Sequence, residues 1–230
     1  MWLLAIYEAT TLFSLKPSDA TSSGGRTLLA PTPYAIKMGL LDAAYRRHGA
    51  DEVAALWPTL RDLRLAHRPP LRAVANNVFT RILKPSRSSR EPGSWPLQRT
   101  IGYREYVHYQ GPWGLALGLP EPLPWVAELA GMLAYAGKRG GFLQLLHAPT
   151  WQEDLPTGYC LLSAQEGAPV FKDGVLQVMD DCGPDLTLER ASIYSGKNLR
   201  AQDRLAYPVV LPYRLARSSR DYTLYERLDG

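Results

Sequence analysis

Lysine is scarce in this chain, six residues of 230 against 20 arginines. Only two cysteines are present, Cys160 and Cys182. Without CxxC spacing or a neighbouring histidine they form neither a zinc set nor a disulfide framework, and both read as reduced, packed thiols. The four histidines, His48, His67, His108 and His147, show no HExxH or other paired spacing. Each therefore reads as a structural or surface residue, and no metal is expected. There is no GxxxxGK[ST], no GxGxxG and no GxSxG elbow, so ATP hydrolysis, dinucleotide chemistry and serine-hydrolase chemistry have no support. No cofactor is expected. The apolar run at residues 2–7 is stopped by Glu8. It is too short for a signal peptide or a membrane span, so the chain is expected to be cytoplasmic with no membrane partner. No period of roughly 20–50 residues recurs, which removes repeat architectures.

What is present suits a globular chain: 46% hydrophobic residues, 21% charged, 19 glycines and 19 prolines. So many turn formers argue against an all-helical bundle. The overall balance, 26 basic against 22 acidic residues, says little about partners. Its distribution says more. Residues 61–104 hold ten Arg or Lys against two acids, whereas residues 151–189 hold eight acids against Lys172 alone. A guanidinium forks onto phosphate oxygens and stacks on bases, which an ammonium does not. A GC-rich genome would also raise arginine, but would not cluster it.

The order of elements sets the fold class. Residues 2–14 read as a buried first strand, followed by a loop over 16–29. Thr32-Pro33 offers an N-cap and a first-turn proline for a helix whose apolar stripe is Ile36, Leu40, Leu41 and Ala44 and which ends at Gly49. Residues 51–57 and 59–66 read as short helical pieces padding the crossover. Strand composition returns at 71–83 and 102–109, around an exposed insert rich in Pro, Ser and Arg, and residues 115–119 could close the sheet. Pro124 opens a second helix, with Trp125, Leu129, Met132, Leu133 and Ala136 as its stripe and Gly137 as its stop. The strand 142–146 completes a β-α-β-β-α-β order. This predicts an α+β, ferredoxin-like (RRM-like) domain over residues 1–149, with a β-rich C-terminal extension over 150–230.

Two segments carry candidate binding chemistry. Gly137-Lys138-Arg139-Gly140-Gly141 leaves the backbone open to a phosphate with two cations alongside, although a helix terminator followed by solvated cations reads the same way. The basic insert over residues 84–99, with Lys84, Arg87, Arg90 and Arg99 and with Arg81 and Arg104 flanking it, concentrates like charges that an anionic partner would neutralise. Trp95, Tyr103, Tyr106 and Tyr109 stand nearby as stacking platforms. Asp180-Asp181 reads as a solvated acidic loop or a docking patch, because no third carboxylate is spaced to complete a cation site.

The segment SLKPSDATSSGGRTLLAPTPYAIKMGLLDAAYRRHG resembles the N-terminal region of the Cas-five family, a RAMP-superfamily subunit of type I CRISPR Cascade complexes. The matching residues are Pro31, Pro33, Gly39, Leu40, Leu41, Ala43 and Ala44, and Gly137–Phe142 resembles the family's glycine-rich loop. The resemblance implies a noncatalytic RNA-binding subunit that caps the 5′ handle of the CRISPR RNA and contacts the large and backbone subunits, with target DNA reached only through the complex. It also implies a β-hairpin thumb, near residues 84–104 here. Some relatives cut precursor RNA without metal, using a tyrosine, a lysine and a histidine; Tyr34, Lys138 and His108 have that chemistry, which leaves a metal-independent endoribonuclease as the alternative. The topology further predicts that Lys16, Arg26, Tyr34, Lys37, Lys138 and Arg139, with Gly137, Gly140 and Gly141, line one edge where the handle would bind.

Overall fold

The computed structural model describes residues 1–17, 26–86, 95–137, 140–163 and 173–228. Strand β1 (Trp2–Ala9) turns Leu3, Ala5 and Tyr7 into the core, each at most 1% exposed. Helix α1 (Pro33–Asp62) begins where the Thr32 side chain accepts a hydrogen bond from the Ala35 amide at 3.2 Å, with Pro33 in its first turn. Gly49 does interrupt it, at φ +77°, but helical geometry resumes and runs to Asp62. Strand β2 is Arg64–Arg68.

A long hairpin follows, β3 (Arg72–Pro85) and β4 (Leu97–Gln110), in unbroken register from Arg72 opposite Gln110 to Pro85 opposite Leu97. Strand β5 (Trp113–Gly118) is buried at every position. Helix α2 spans Pro124–Gly131 and strand β6 Leu143–Leu145. The core sheet has the order β6-β1-β5-β2, all antiparallel. This is the ferredoxin-like arrangement, with the hairpin inserted between its second and third strands.

The assignment of the two middle strands needs correction. Residues 71–83 and 102–109 are not core strands but the two halves of the hairpin; the core strands are β2 and β5. Residues 59–66 hold the end of α1 and the start of β2 rather than one helical piece. The reason is local: RLAHR is buried on both faces, Leu65 and His67 on one side and Ala66 on the other, so it shows no polar alternation. Helix α2 stops at Gly131, six residues before the predicted end. Leu133 and Ala136 remain buried from an extended segment in which Tyr135 bridges Phe142.

The C-terminal residues pair with both sheets. Strand β7 (Thr150–Gln152) joins β1 and β8 (Cys160–Leu161) joins β2. Strands β9 (Val175–Cys182) and β10 (Arg204–Leu211) form a hairpin against α1, joined by the short helix α3 (Leu188–Ala191). Trp57 Nε1 donates to the Leu186 carbonyl at 2.9 Å, tying α1 to that connection. Strands β11 (Tyr213–Ser218) and β12 (Tyr222–Arg227) extend the hairpin into a second sheet, β11-β12-β3-β4. Among the described residues no helix is long and apolar enough to cross a membrane.

Candidate nucleic-acid interface

One sheet face is unavailable for binding. The side of the core sheet away from the helices is filled by Trp2, Ala66, Ala116 and Tyr159, with Leu4, Leu155 and Leu161 packed on them. Sequence reasoning assigns the binding residues to the loop edge of the core sheet and to the hairpin.

At the loop edge, three distant segments meet. Leu15 donates its amide to Thr27 Oγ1 at 3.0 Å, and the Leu28 amide donates to the Leu15 carbonyl at 2.9 Å. The Thr27 amide donates to Glu105 Oε2 at 2.8 Å, fastening this segment to the base of β4. Thr11 Oγ1 donates to the Gly140 carbonyl at 2.6 Å and accepts from the Phe142 amide at 2.7 Å. Gly137 has φ +80°, a backbone angle that favours glycine, and a Cβ there would come within 2.9 Å of Leu15 Cδ1, the mobile end of a side chain. Lys16 and Arg26 are exposed beside this junction, and Gly140 is exposed while Gly141 is buried. Lys138 and Arg139, predicted to add charge here, lie outside the described residues.

Lys37 does not belong to this edge. It is 2% exposed, donates to the Arg61 carbonyl at 2.6 Å and pairs with Asp181 at 2.6 Å. A cation so committed cannot reach a phosphate in solvent, so its predicted RNA contact is withdrawn. The acidic pair is corrected with it: Asp180 and Asp181 are 3% and 7% exposed on β9, not a solvated loop. Asp180 is paired with Arg204. Burial pushes the Asp181 carboxyl above its ordinary range, against the opposing pull of Lys37. Tyr34 is half-buried, with the Arg204 guanidinium 4.2 Å from its ring centre, and desolvation raises its hydroxyl to about 12. One face of that ring is therefore already stacked.

The hairpin forms an arm. Strand β12 pairs β3 only from Arg72 to Asn76, so the eight rows from Val78 opposite Arg104 to Pro85 opposite Leu97 pair with each other alone among the described residues. At a strand rise of about 3.3 Å, that arm extends about 26 Å. Residues directly opposite share a face. Arg81 and Arg99 thus lie on the face with Phe79, Leu83, Ile101 and Tyr103; Lys84 and Arg104 lie on the other with Thr80, Thr100 and Gln98. Phe79, Leu83 and Ile101 are 72%, 58% and 71% exposed, and the Phe79 and Tyr103 rings sit 4.8 Å apart. Large apolar side chains held out on a basic arm mark a contact surface rather than a core. Arg87 and Arg90, predicted for its tip, lie outside the described residues.

The other titratable groups offer no catalytic set. His67 is fully buried, its Nδ1 receives the Trp113 Nε1 hydrogen at 3.2 Å, and desolvation lowers it to about 3. Both cysteines are buried and free, with thiols pushed up to about 12. His108 faces outward on β4 opposite Val74, whereas Tyr34 opens α1 beneath Arg204. Among the described residues no three His, Cys, Asp or Glu side chains are grouped to hold a metal. Sequence reasoning missed Phe79, Leu83 and Ile101 as surface residues. The run Phe79-Thr80-Arg81-Ile82-Leu83 shows no clean apolar–polar alternation, so its strand composition alone did not separate these residues from a core strand.

No known family model matches the chain. It is similar to a CRISPR-associated protein Cas5 from Archaeoglobus fulgidus, 24% identical over 202 residues that cover 86% of this chain and 87% of the relative. Among solved structures it is similar to a chain of a CRISPR RNA-guided surveillance complex, at 15% identity and TM-score 0.48, covering 91% of this chain and 90% of that one. A CRISPR protein from Archaeoglobus fulgidus is similar at 12% identity and TM-score 0.49, covering 99% of this chain and 92% of that one.

Proposed function

We propose that the chain, similar to a CRISPR-associated protein Cas5, is a member of that family and a noncatalytic, RNA-binding subunit of a CRISPR RNA-guided surveillance (Cascade) complex acting in antiviral defence. Its role is to cap the 5′ handle of the CRISPR RNA and to contact the large and backbone subunits. Target DNA is met only through the assembled complex. The observation that carries this reading is the arm, a two-stranded extension with Arg81, Lys84, Arg99 and Arg104 distributed over both faces and exposed aromatics among them. Cations supply sequence-independent affinity for phosphate, and ring faces accept any splayed base. Lys16 and Arg26, beside the glycine loop, supply the second contact region at the other end of the hairpin.

No hydrolysis is part of this reading. Acid–base cleavage requires its groups within hydrogen-bond reach of one another. The Tyr34 ring is occupied by Arg204, and its raised hydroxyl makes a poor base near neutral pH. The test is purification of the chain with its neighbouring gene products, followed by sequencing of bound RNA. A uniform RNA population sharing one 5′ end, uncut by the isolated chain in EDTA, is the expected result. Metal-independent cleavage of repeat RNA that disappears in His108→Ala would replace the noncatalytic reading with the nuclease one. Absence of RNA from the purified assembly would remove both.

A further inference from the structure

The second sheet has two unlike faces. One carries Ala73, Ala75, Val107, Tyr109 and Tyr213, all buried against the core. The register places a different set on the opposite face. Tyr106, Asn76 and Tyr222 stand side by side across β4, β3 and β12. In the next row come His108, Val74, Leu224 and Arg217, and on the other side of the tyrosine row lies Arg104 opposite Val78. Both tyrosines are half-buried, and His108 and Arg217 are exposed. With strands about 4.8 Å apart, the two rings are about 10 Å from each other, room for one base on each.

Charge decides what this face suits. Among the described residues its one carboxylate is Glu226, already held by Arg72 and Arg214, each at 3.1 Å. Asp221, in the adjoining turn, follows Arg220 in the chain. Arg104 and Arg217 remain, at either side of the tyrosine row, with no acid opposite them among the described residues. Two aromatic rings between two uncompensated guanidinium groups match a strand that alternates bases and phosphates. Asn76 donates its side-chain amide to the Val74 carbonyl at 3.3 Å, which leaves Oδ1 between the two rings to accept a ribose 2′-hydroxyl.

The geometry points to a second RNA contact on the open face of this sheet, where single-stranded RNA stacks on Tyr106 and Tyr222 and lays its phosphates on Arg104 and Arg217. This rests on the RNA-binding role proposed above, but uses residues distinct from the loop edge and from the apolar face of the arm. The probe is a fluorescein-labelled, mixed-sequence single-stranded RNA titrated with the full chain by fluorescence anisotropy, with DNA of the same sequence in parallel. Tyr106→Ala with Tyr222→Ala is expected to weaken RNA binding at least about fivefold, while the Phe pair, which keeps the rings, stays within about twofold of the original. Arg104→Ala with Arg217→Ala should lower the logarithmic salt slope by about 1.4, at about 0.7 per phosphate contact, whereas the tyrosine variants should leave that slope unchanged. If Arg81→Ala with Arg99→Ala weakens binding while the Tyr→Ala pair binds as the original does, the stacking face is refuted and the RNA-binding role survives. Failure of the original chain to bind RNA would overturn both, and equal, tyrosine-dependent binding of the DNA would overturn RNA as the occupant.

Discussion

Replacing Lys37 by methionine separates a structural cation from a binding one. Lys37 Nζ lies 2.6 Å from Asp181 and 2.6 Å from the Arg61 carbonyl, joining α1 to β9 in a region only a few per cent exposed. Methionine fills much of the same volume but leaves Asp181 buried without its partner. Breaking a buried pair in this way costs about 3–5 kcal/mol, a large share of a total stability of about 5–15 kcal/mol. The sign of the pH dependence follows from Asp181. Its folded pKa lies above its unfolded value, so its protonated form is favoured by folding, and that contribution is present at low pH and lost as pH rises through the folded pKa. Removing Lys37 raises the folded pKa further, because the attraction that opposed desolvation is gone. The deficit of Lys37→Met relative to the original protein should therefore be largest at pH 7 and shrink toward pH 4. Urea unfolding at the two pH values measures it, and adding Asp181→Asn should recover part of the loss at pH 7. A deficit under about 1 kcal/mol, or one that grows on acidification, would refute the buried pair as described.

Three further outcomes follow from individual contacts. Thr32→Ala removes the cap on α1 and should cost about 1 kcal/mol in urea unfolding, with Thr32→Ser restoring most of it. Gly137→Ala should destabilise by about 1–2 kcal/mol, because alanine is strained at φ +80° and its Cβ would press on Leu15. Phe79→Ser, at a side chain 72% exposed, should leave the unfolding midpoint within about 0.5 kcal/mol of the original while reducing binding to RNA or to a neighbouring subunit.

The order of helices and strands was legible because capping and stripe signals are local. Thr32-Pro33, the stripe from Ile36 to Ala44 and the proline at 124 all did what their chemistry predicts. The identity of the middle core strands was not, because a five-residue strand buried on both faces carries no alternation, while the long arm, half in solvent, has the strand-forming composition of a core strand. The arm's cations were legible from clustering alone. The fate of Lys37 was only half legible: three and four residues before Leu40 and Leu41, it falls on the buried stripe of α1, but its partner lies 144 positions away on a hairpin that only the fold brings to that helix. Asp180 and Asp181 misled for the same reason, since their compensating charges, Arg204 and Lys37, come from other elements. The open face carrying Tyr106 and Tyr222 needed β12 to be placed beside β3, a pairing of residues more than a hundred positions apart.

If the arm holds RNA through its cations, the salt dependence of RNA affinity registers each phosphate contact they make. Binding of single-stranded RNA by the full chain is compared between the original protein and a variant with Arg81, Lys84 and Arg99 changed to alanine, from 50 to 200 mM salt. Three lost phosphate contacts at about 0.7 ion each should reduce the steepness of log affinity against log salt by about 2.1. The unfolding midpoint should be unchanged, because all three side chains are exposed. A reduction near that size, with folding intact, is the predicted result. An unchanged slope in a folded variant would contradict the assignment of the arm to RNA.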